Sequence, residues 1–210
     1  NCTSLNHVIL PDKLEYIQGF AFSGCSSLTE IVLPTTLKSI NSFSFSDCIS
    51  LGKVLLSDSL QEISSMAFAG CKSLQSIDFP KNLTAIGQGA FMGCESIDRI
   101  EIPTSIVTIG VGAFAMCPNI ESITVASNNT VYDSRNNCNA IIKSDSDVLI
   151  AGCFNTHIPD GITAIDVGAF MGCKQLSSLV IPNSINSIGE YAFEYCSGLS
   201  YIISENTIPP

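Results

Sequence analysis

The chain has 210 residues, of which 46% are hydrophobic and only 13% are charged, and its formal net charge is −10. This composition supports a buried core and excludes a disordered chain. The 9 lysines and arginines are spread through the chain and form no basic stripe, so we expect no nucleic-acid partner. No apolar run approaches the ~20 residues of a membrane helix, so we expect no direct membrane insertion.

A 23-residue repeat organises the sequence from its beginning. Cysteine recurs at this period from Cys2 to Cys117 and again at Cys173 and Cys196. Phenylalanine and isoleucine hold two further columns, at Phe22, Phe45, Phe68, Phe91, Phe114, Phe170 and Phe193 and at Ile17, Ile40, Ile63, Ile86, Ile109, Ile165 and Ile188. A fixed period with fixed apolar columns indicates one unit that buries its apolar face only against its neighbours. The sequence therefore predicts a single solenoid over residues 1–210.

Each unit predicts one strand and one tight turn. The segment Leu28-x-x-Ile31-x-Leu33 alternates at its end as a half-buried strand does, and Pro34 ends it because proline has no donor for a ladder. In-register stacking then gives one parallel sheet, with strands near Ile31–Leu33, Ile77–Phe79, Ile100–Ile102 and Leu179–Ile181. The Gly-Ala-Phe-x-Gly-Cys part is too short for a long helix, and it predicts a single helical or 3₁₀ turn that places phenylalanine in the core.

One unit is longer than the others. From Cys117 to Cys173 is 56 residues, and the extra residues lie at about 126–158. Two apolar runs here flank a polar turn centred on Asp145–Ser146, which predicts a β-hairpin within an array that then resumes in phase. Because Cys138 and Cys153 are symmetric about this turn, we expect them to face each other. An oxidising location would allow a disulfide between them, and two free thiols are the alternative.

The recurring motif Ile-Gly-x-x-Ala-Phe-x-x-Cys-x-x-Leu-x-x-Ile-x-Ile-Pro resembles the BspA-like leucine-rich-repeat family of bacterial surface proteins. The resemblance covers essentially the whole chain, and the insert, Tyr132 through Thr156, is similar to an insertion frequent in gut-bacterial members. It implies an α/β, β-rich solenoid: a right-handed superhelix with a parallel sheet on the concave face and short helical or 3₁₀ turns. Asp47 and Met116 stand where the motif has glycine, and Ser57 where it has proline, which affects only local turns.

The resemblance also implies a role and a location. Family members are implicated in adhesion to host matrix proteins and to other cells. The expected partners are therefore surface proteins or glycans of a host or of neighbouring cells. The expected location is extracellular or on the cell surface, with any signal or anchor segment absent from this chain.

We expect no catalytic site, metal or cofactor. Zinc sites need cysteine pairs two to four residues apart, and none occur, so the periodic cysteines indicate a ladder of buried thiols. Of the 2 histidines, His157 follows Cys153 by four residues but fits a strand that enters the next repeat. Asp145 and Asp147 lack an EF-hand pattern and indicate a solvated turn.

The outward residues of the predicted strands define a candidate ligand-binding face. The residue between the last two apolar positions points away from the core, and this column reads Ile9, Val32, Leu55, Asp78, Glu101, Thr124, Val180 and Ile203. The apolar strip Ile9, Val32 and Leu55 is followed by Asp78 and Glu101, with Arg99 beside them, and we predict that these six residues bind the ligand. A structural spacer within a larger surface protein is the alternative function.

Overall fold

The structure is a computed structural model that describes residues 1–204 and forms a β-solenoid of about eight turns. One 23-residue turn of this solenoid is called a rung below. The strands in chain order are β1 (Tyr16–Ile17), β2 (Glu30–Val32), β3 (Ser39–Ile40), β4 (Lys53–Leu55), β5 (Glu62–Ile63), β6 (Ala85–Ile86), β7 (Arg99–Ile102), β8 (Thr108–Ile109), β9 (Ser122–Val125), β10 (Tyr132–Asp133), β11 (Ala140–Lys143), β12 (Val148–Gly152), β13 (Ala164–Ile165), β14 (Ser178–Ile181), β15 (Ser187–Ile188) and β16 (Tyr201–Ser204). Among these residues the one helix is a 3₁₀ turn at Arg135–Asn137. The leucine-rich-repeat solenoid predicted from the sequence is confirmed.

The Leu-x-x-Ile-x-Ile segments form parallel pairs in the predicted register. Strand β2 pairs with β4, β7 with β9, and β14 with β16, and each residue lies opposite its equivalent in the next rung. The prediction of one continuous sheet is wrong, because residues 77–79 belong to no strand. We attribute this break to Phe79, whose ring packs edge-on against Phe91 at 5.6 Å and reaches Phe114 at 6.4 Å.

A second ladder, which the sequence analysis did not predict, runs through the isoleucine column. The two-residue strands β1, β3, β5, β6 and β8 pair in parallel in that order. The second residues of the first four, Ile17, Ile40, Ile63 and Ile86, are buried, and Ile109 of β8 is half-buried. The isoleucine column therefore links successive rungs also where the Leu-x-x-Ile-x-Ile ladder is broken, since β5 pairs with β6 and β6 with β8.

The turn that carries the core phenylalanine is not a helix, so this part of the prediction is corrected. Its residues form successive turns closed by bonds such as that from the Ala90 N–H to the Gly87 oxygen, at 3.2 Å. Two residues in each turn, four apart, have a positive φ, which interrupts any helical run. The pairs are Phe20 and Gly24, Phe43 and Asp47, Met66 and Gly70, Gly89 and Gly93, Gly112 and Met116, Gly168 and Gly172, and Tyr191 and Tyr195. Asp47 and Met116 thus adopt the left-handed conformation that glycine adopts in other rungs.

The predicted hairpin forms, and it lies inside the stack of rungs. Strands β10, β11 and β12 are antiparallel, and β12 then pairs in parallel with β13, so the hairpin begins a separate five-stranded sheet of order β10-β11-β12-β13-β15, which continues the isoleucine column at Ile165 and Ile188. Ile141 packs in the apolar core of the rungs before the insert, whereas Ile142 and Leu149 pack in the core of the rungs after it. The hairpin is therefore buried on both faces and separates two core clusters.

The register of the hairpin differs from the one on which the predicted disulfide was based. Ile142 faces Leu149 as predicted, but a one-residue irregularity pairs Ile141 with Ala151 rather than with Ile150. This shift moves Cys138 and Cys153 out of direct opposition. Cys153 then packs in the core before the insert and Cys138 in the core after it, and both are free thiols.

The core contains a column of stacked phenyl rings. Phe45, Phe68 and Phe91 are fully buried, and the centroids of successive rings lie 5.2 Å and 5.4 Å apart. The column stops at Phe114, because the hairpin separates this ring from Phe170. Gly152 lies at the boundary, and a Cβ there would come within 2.3 Å of the Phe170 ring.

Truncation of a ring in this column should destabilise the whole array. We expect Phe91→Ala to lower the free energy of unfolding by about 3–5 kcal/mol, because it leaves a cavity between two stacked rings. Phe20→Ala is the matched control, since the Phe20 ring is 63% exposed and its loss should cost well under half as much. Urea unfolding followed by circular dichroism measures both values. Equal losses in the two variants would contradict the assignment of the core.

Candidate functional site

The outward side chains of the Leu-x-x-Ile-x-Ile segments form a surface that we call the strand face. Its central column is exposed on each rung that the sequence analysis identified: Ile9, Val32, Leu55, Asp78, Glu101, Thr124, Val180 and Ile203. Within a strand the burial alternates, as in β2, where Ile31 is buried between exposed Glu30 and Val32. The predicted direction of these side chains is confirmed, and their role in ligand binding stays a prediction.

An apolar strip occupies the first three rungs of the strand face. Ile9, Val32 and Leu55 are 85%, 61% and 47% exposed. Val32 and Leu55 are direct partners in the parallel ladder, as are Glu30 and Lys53 beside them. The strip therefore presents neighbouring aliphatic side chains with an acidic and a basic residue at its border, a composition typical of surfaces that bind other macromolecules.

A groove of about 310 Å³ opens next to this strip, where the ladder is broken. It is lined by Ile77, Asp78, Phe79, Arg99, Glu101, Ile102, Pro103, Thr124, Val125 and Ala126. Residues 77–79 are unpaired, and half-buried Phe79 packs into the core, so the same feature that interrupts the sheet shapes the groove. The three charged residues predicted for the ligand site thus line one concavity.

The charges of this groove are not needed to hold the fold together. Arg99 Nε lies 3.6 Å from Glu101 Oε1, and both side chains are more than half exposed. An exposed pair of this kind contributes little to stability, about 0–1 kcal/mol. Asp78 makes no ion pair within residues 1–204. Two carboxylates and one guanidinium are therefore available to a ligand.

His157 also belongs to the strand face, and the sequence analysis missed it. The pair Ile158-Pro159 lies 23 residues before Ile181-Pro182, which aligns His157 with Val180. His157 is exposed and lines a second groove, of about 210 Å³, together with Val180. The repeated Ile-Pro pair is the signal that identifies this position, but the extra residues of the insert obscured it.

The thiol column has a structural role, as the sequence predicted. Each of the central thiols donates to the carbonyl oxygen of the phenylalanine in the rung before it: Cys71 to Phe45 at 3.2 Å, Cys94 to Phe68 at 3.2 Å and Cys117 to Phe91 at 3.1 Å. Burial raises the pKa of Cys48 to about 11 and that of Cys117 to about 12. Buried, protonated thiols are poor nucleophiles and poor metal ligands. At the ends of the column, Cys2 is exposed and Cys196 is half-buried.

A polar cluster fastens the turn of the hairpin. Arg135 donates to Asp133 through Nε and Nη2, at 2.8 and 2.7 Å, and to Asp147 through Nη1 at 2.6 Å. Ser144 donates to Asp133 at 2.7 Å. Burial alone would raise the pKa of Asp133, but the hydrogen bonds from Arg135 and Ser144 outweigh it and lower the pKa to about 2. This cluster joins β10 to both ends of the β11–β12 turn.

In the part of the chain that the structure describes, no three His, Cys, Asp or Glu residues are grouped so as to hold a metal ion. No helix within residues 1–204 is long and apolar enough to cross a membrane.

The sequence matches the family model for the BspA type leucine-rich repeat region in 6 copies, over residues 1–121 and 151–209. The unmatched residues, 122–150, hold most of the hairpin insert, and the matched parts cover the rungs on both sides of it. The chain belongs to the BspA-type leucine-rich-repeat family. No curated protein shows significant similarity to this chain.

Three solved structures illustrate the similarity. A leucine-rich cell surface protein from Faecalibacterium prausnitzii is 26% identical, with a TM-score of 0.70, over 92% of this chain and 59% of that one. A leucine-rich-repeat protein of T. pallidum is 28% identical, with a TM-score of 0.62, over 92% and 77%. A leucine-rich-repeat protein from Bacteroides ovatus is 28% identical, with a TM-score of 0.56, over 91% and 59%. The chain therefore spans only part of the length of these proteins.

Thiol accessibility tests the assignment of the cysteine column. In the folded protein, we expect iodoacetamide at pH 8 to label Cys2 rapidly, because it is exposed, and Cys196 slowly, because it is half-buried. The remaining thiols are buried and should stay unlabelled. Unfolding in urea should make all 10 cysteines reactive at once. Peptide mass spectrometry identifies the labelled sites. Rapid labelling of Cys71 or Cys94 in the folded protein would show that the column is not a sealed core.

The ionised Asp133 carboxylate should make the free energy of unfolding depend on pH in the acid range. Its folded-state pKa lies below the ordinary value of 3.8, so its stabilising contribution is complete above that value and is lost as the pH falls from about 4 through about 2. We expect a contribution of about 1–2 kcal/mol, because the side chain is partly exposed and the ion pair is screened.

Urea unfolding at several pH values between 7 and 2 measures this contribution. Asp133→Asn should be less stable than the parent at pH 7 and should lose less stability on acidification. Asp145→Asn is the control, since Asp145 is 70% exposed and pairs only loosely with Lys143, at 3.7 Å. Parallel pH profiles for Asp133→Asn and the parent would disprove the role of the cluster.

Proposed function

We propose that this protein is a binding module of the bacterial cell surface that recognises a protein or glycan on a host or neighbouring cell through its strand face. The observation that carries the proposal is the continuity of the exposed strip Ile9, Val32 and Leu55 with the charged groove at Asp78 and Glu101. Solenoids present extended surfaces of this kind to macromolecular ligands. The similarity to a leucine-rich cell surface protein supports the location.

The strand face is better suited to recognition than to spacing. A spacer needs only the inward columns, so its outward positions would repeat or vary without pattern. Here the outward column groups three aliphatic residues and then two carboxylates on five successive rungs. Exposed apolar side chains in a contiguous strip add nothing to the core, and they are typical of partner sites.

Two double variants test the two halves of the face. Val32→Ser with Leu55→Ser removes the strip, and Asp78→Lys with Glu101→Lys reverses the charge of the groove. After a screen against extracellular-matrix proteins, mucin and glycans, we expect each variant to bind the selected ligand about tenfold or more weakly, a loss of about 1.4 kcal/mol or more. Surface plasmon resonance measures the affinities.

Matched controls separate the strand face from general surface effects. Ile49→Ser with Val107→Ser removes two aliphatic side chains of similar exposure elsewhere, and Asp12→Lys with Asp160→Lys makes the same change of charge. Both controls should bind like the parent. If the strand-face variants fold and bind as tightly as the controls, the ligand site lies elsewhere, and the absence of any ligand in the screen would favour the spacer.

A further inference from the structure

One surface column of the turns carries side chains that the fold does not require. It is formed by the first left-handed residue of each turn and is called the turn column here: Phe20, Phe43, Met66, Gly89, Gly112, Gly168 and Tyr191. The rings of Phe20 and Phe43 are 63% and 37% exposed, and they stack at 4.8 Å with nearly parallel planes. Neither a positive φ nor exposure to water favours phenylalanine. The two rings form an aromatic ridge along the edge of the molecule.

An apolar groove continues the same column beyond the ridge. It measures about 130 Å³, and its lining includes Met66, Val111, Gly112, Gly168, Met171 and Tyr191. A Cβ added at Gly112 would meet only Ala115, at 3.5 Å, and one added at Gly168 would meet only Met171, at 3.8 Å. Met66 lies across Gly89, so it closes one end of the groove. Glycine is expected in a tight turn and does not by itself indicate a binding site. Here, however, the space above Gly112 and Gly168 is open and is lined by methionine and valine side chains.

The first six turns of this edge have almost no charge. They are residues 18–24, 41–47, 64–70, 87–93, 110–116 and 166–172, and Asp47 and Asp166 are their only charged residues; the seventh turn, 189–195, which supplies Tyr191, adds Glu190 and Glu194. The chain as a whole has a net charge of −10. Depletion of charge around exposed aromatic and methionine side chains is typical of the core of a protein–protein interface.

We propose that the turn column is a self-association surface through which two copies of this chain pair antiparallel. The ridge occupies the first two rungs of the column and the open groove the fifth and sixth. A twofold axis that crosses the column between Met66 and Gly89 therefore places the ridge of each copy against the groove of the other. Phe43 then faces Gly112 of the second copy, and Phe20 faces the Gly168 rung, next to Tyr191. Every rung of one copy then lies opposite a rung of the other, because both copies have the same rung spacing.

The strength of this association follows from its area and charge. The interface covers one narrow edge, so the dimer is weak and depends on protein concentration. Since both copies are acidic, added salt screens their repulsion and strengthens the apolar contact. The strand face takes no part, so this proposal is independent of the proposed ligand binding.

Sedimentation velocity over protein concentrations up to about 1 mM, the range of weak association, tests the surface. Removal of the ridge by Phe20→Ser with Phe43→Ser should weaken dimerisation about tenfold or more. Gly112→Phe with Gly168→Tyr should have the same effect by filling the groove, and the repeat itself has phenylalanine and tyrosine at this position in Phe43 and Tyr191. Val32→Ser with Leu55→Ser, an equally exposed apolar pair on the strand face, is the control and should dimerise like the parent.

Cross-linking tests the antiparallel register in a Cys2→Ser background, which removes the exposed native thiol. Phe43→Cys combined with Gly112→Cys should form covalent dimers on mild oxidation, whereas Phe43→Cys alone should not. A parent protein that stays monomeric up to about 1 mM, at low and high salt, would overturn the proposal. So would a dimer that survives both the ridge and the groove variants, or a dimer that cross-links through Phe43→Cys alone.

Discussion

Backbone hydrogen bonds from turn to turn set the spacing on which the whole molecule depends. The Phe45 N–H donates to the Ala67 oxygen at 2.8 Å, and the Asp47 N–H donates to the Ala69 oxygen at 2.7 Å, each one rung away. The turn residues are too far inside the stack for water to satisfy all of these groups, so every rung must keep the same length and path. Equivalent side chains then lie directly above one another. The phenyl stack, the thiol column and both strand ladders follow from this one constraint.

The insert is accommodated because it keeps these bonds intact. The Met116 N–H donates to the Met171 oxygen at 2.8 Å, although more than fifty residues separate them in sequence. One rung position is filled from the hairpin instead, since the Gly152 N–H donates to the Ala169 oxygen at 2.8 Å, where Phe91 donates to Ala113 in a regular rung. A strand that replaces part of a rung is covered on both sides. This explains why all of Ala140–Ile142 is buried and why the hairpin reads as two continuous apolar runs.

The period was sufficient to predict the columns, the register of the Leu-x-x-Ile-x-Ile strands and the outward side chains, and the two apolar runs of the insert predicted the hairpin. The ladder through the isoleucine column was missed, because only two residues of each rung form it. The failures occur where a local packing choice overrides the period. Phe79 fits the apolar pattern as well as isoleucine does, yet its ring leaves the ladder for the core. The irregularity at Ile141 and Ile142 is invisible to a count outward from the turn, and it removes the expected Cys138–Cys153 pair. Left-handed Phe20 and Phe43 carry no glycine to signal their conformation.

The inward columns of each rung form the core, and the outward columns form the surface that is available for interactions. Inward positions are occupied by nearly the same residues on every rung, because each must fill the same space between two identical neighbours. Outward positions are free of that constraint, and substitutions there change stability little, typically within about 0.5 kcal/mol. The strand face and the turn column use different outward residues of one rung, as Val32 and Phe20 show. Selection for a ligand and selection for self-association can therefore act on separate columns without disturbing the core or each other.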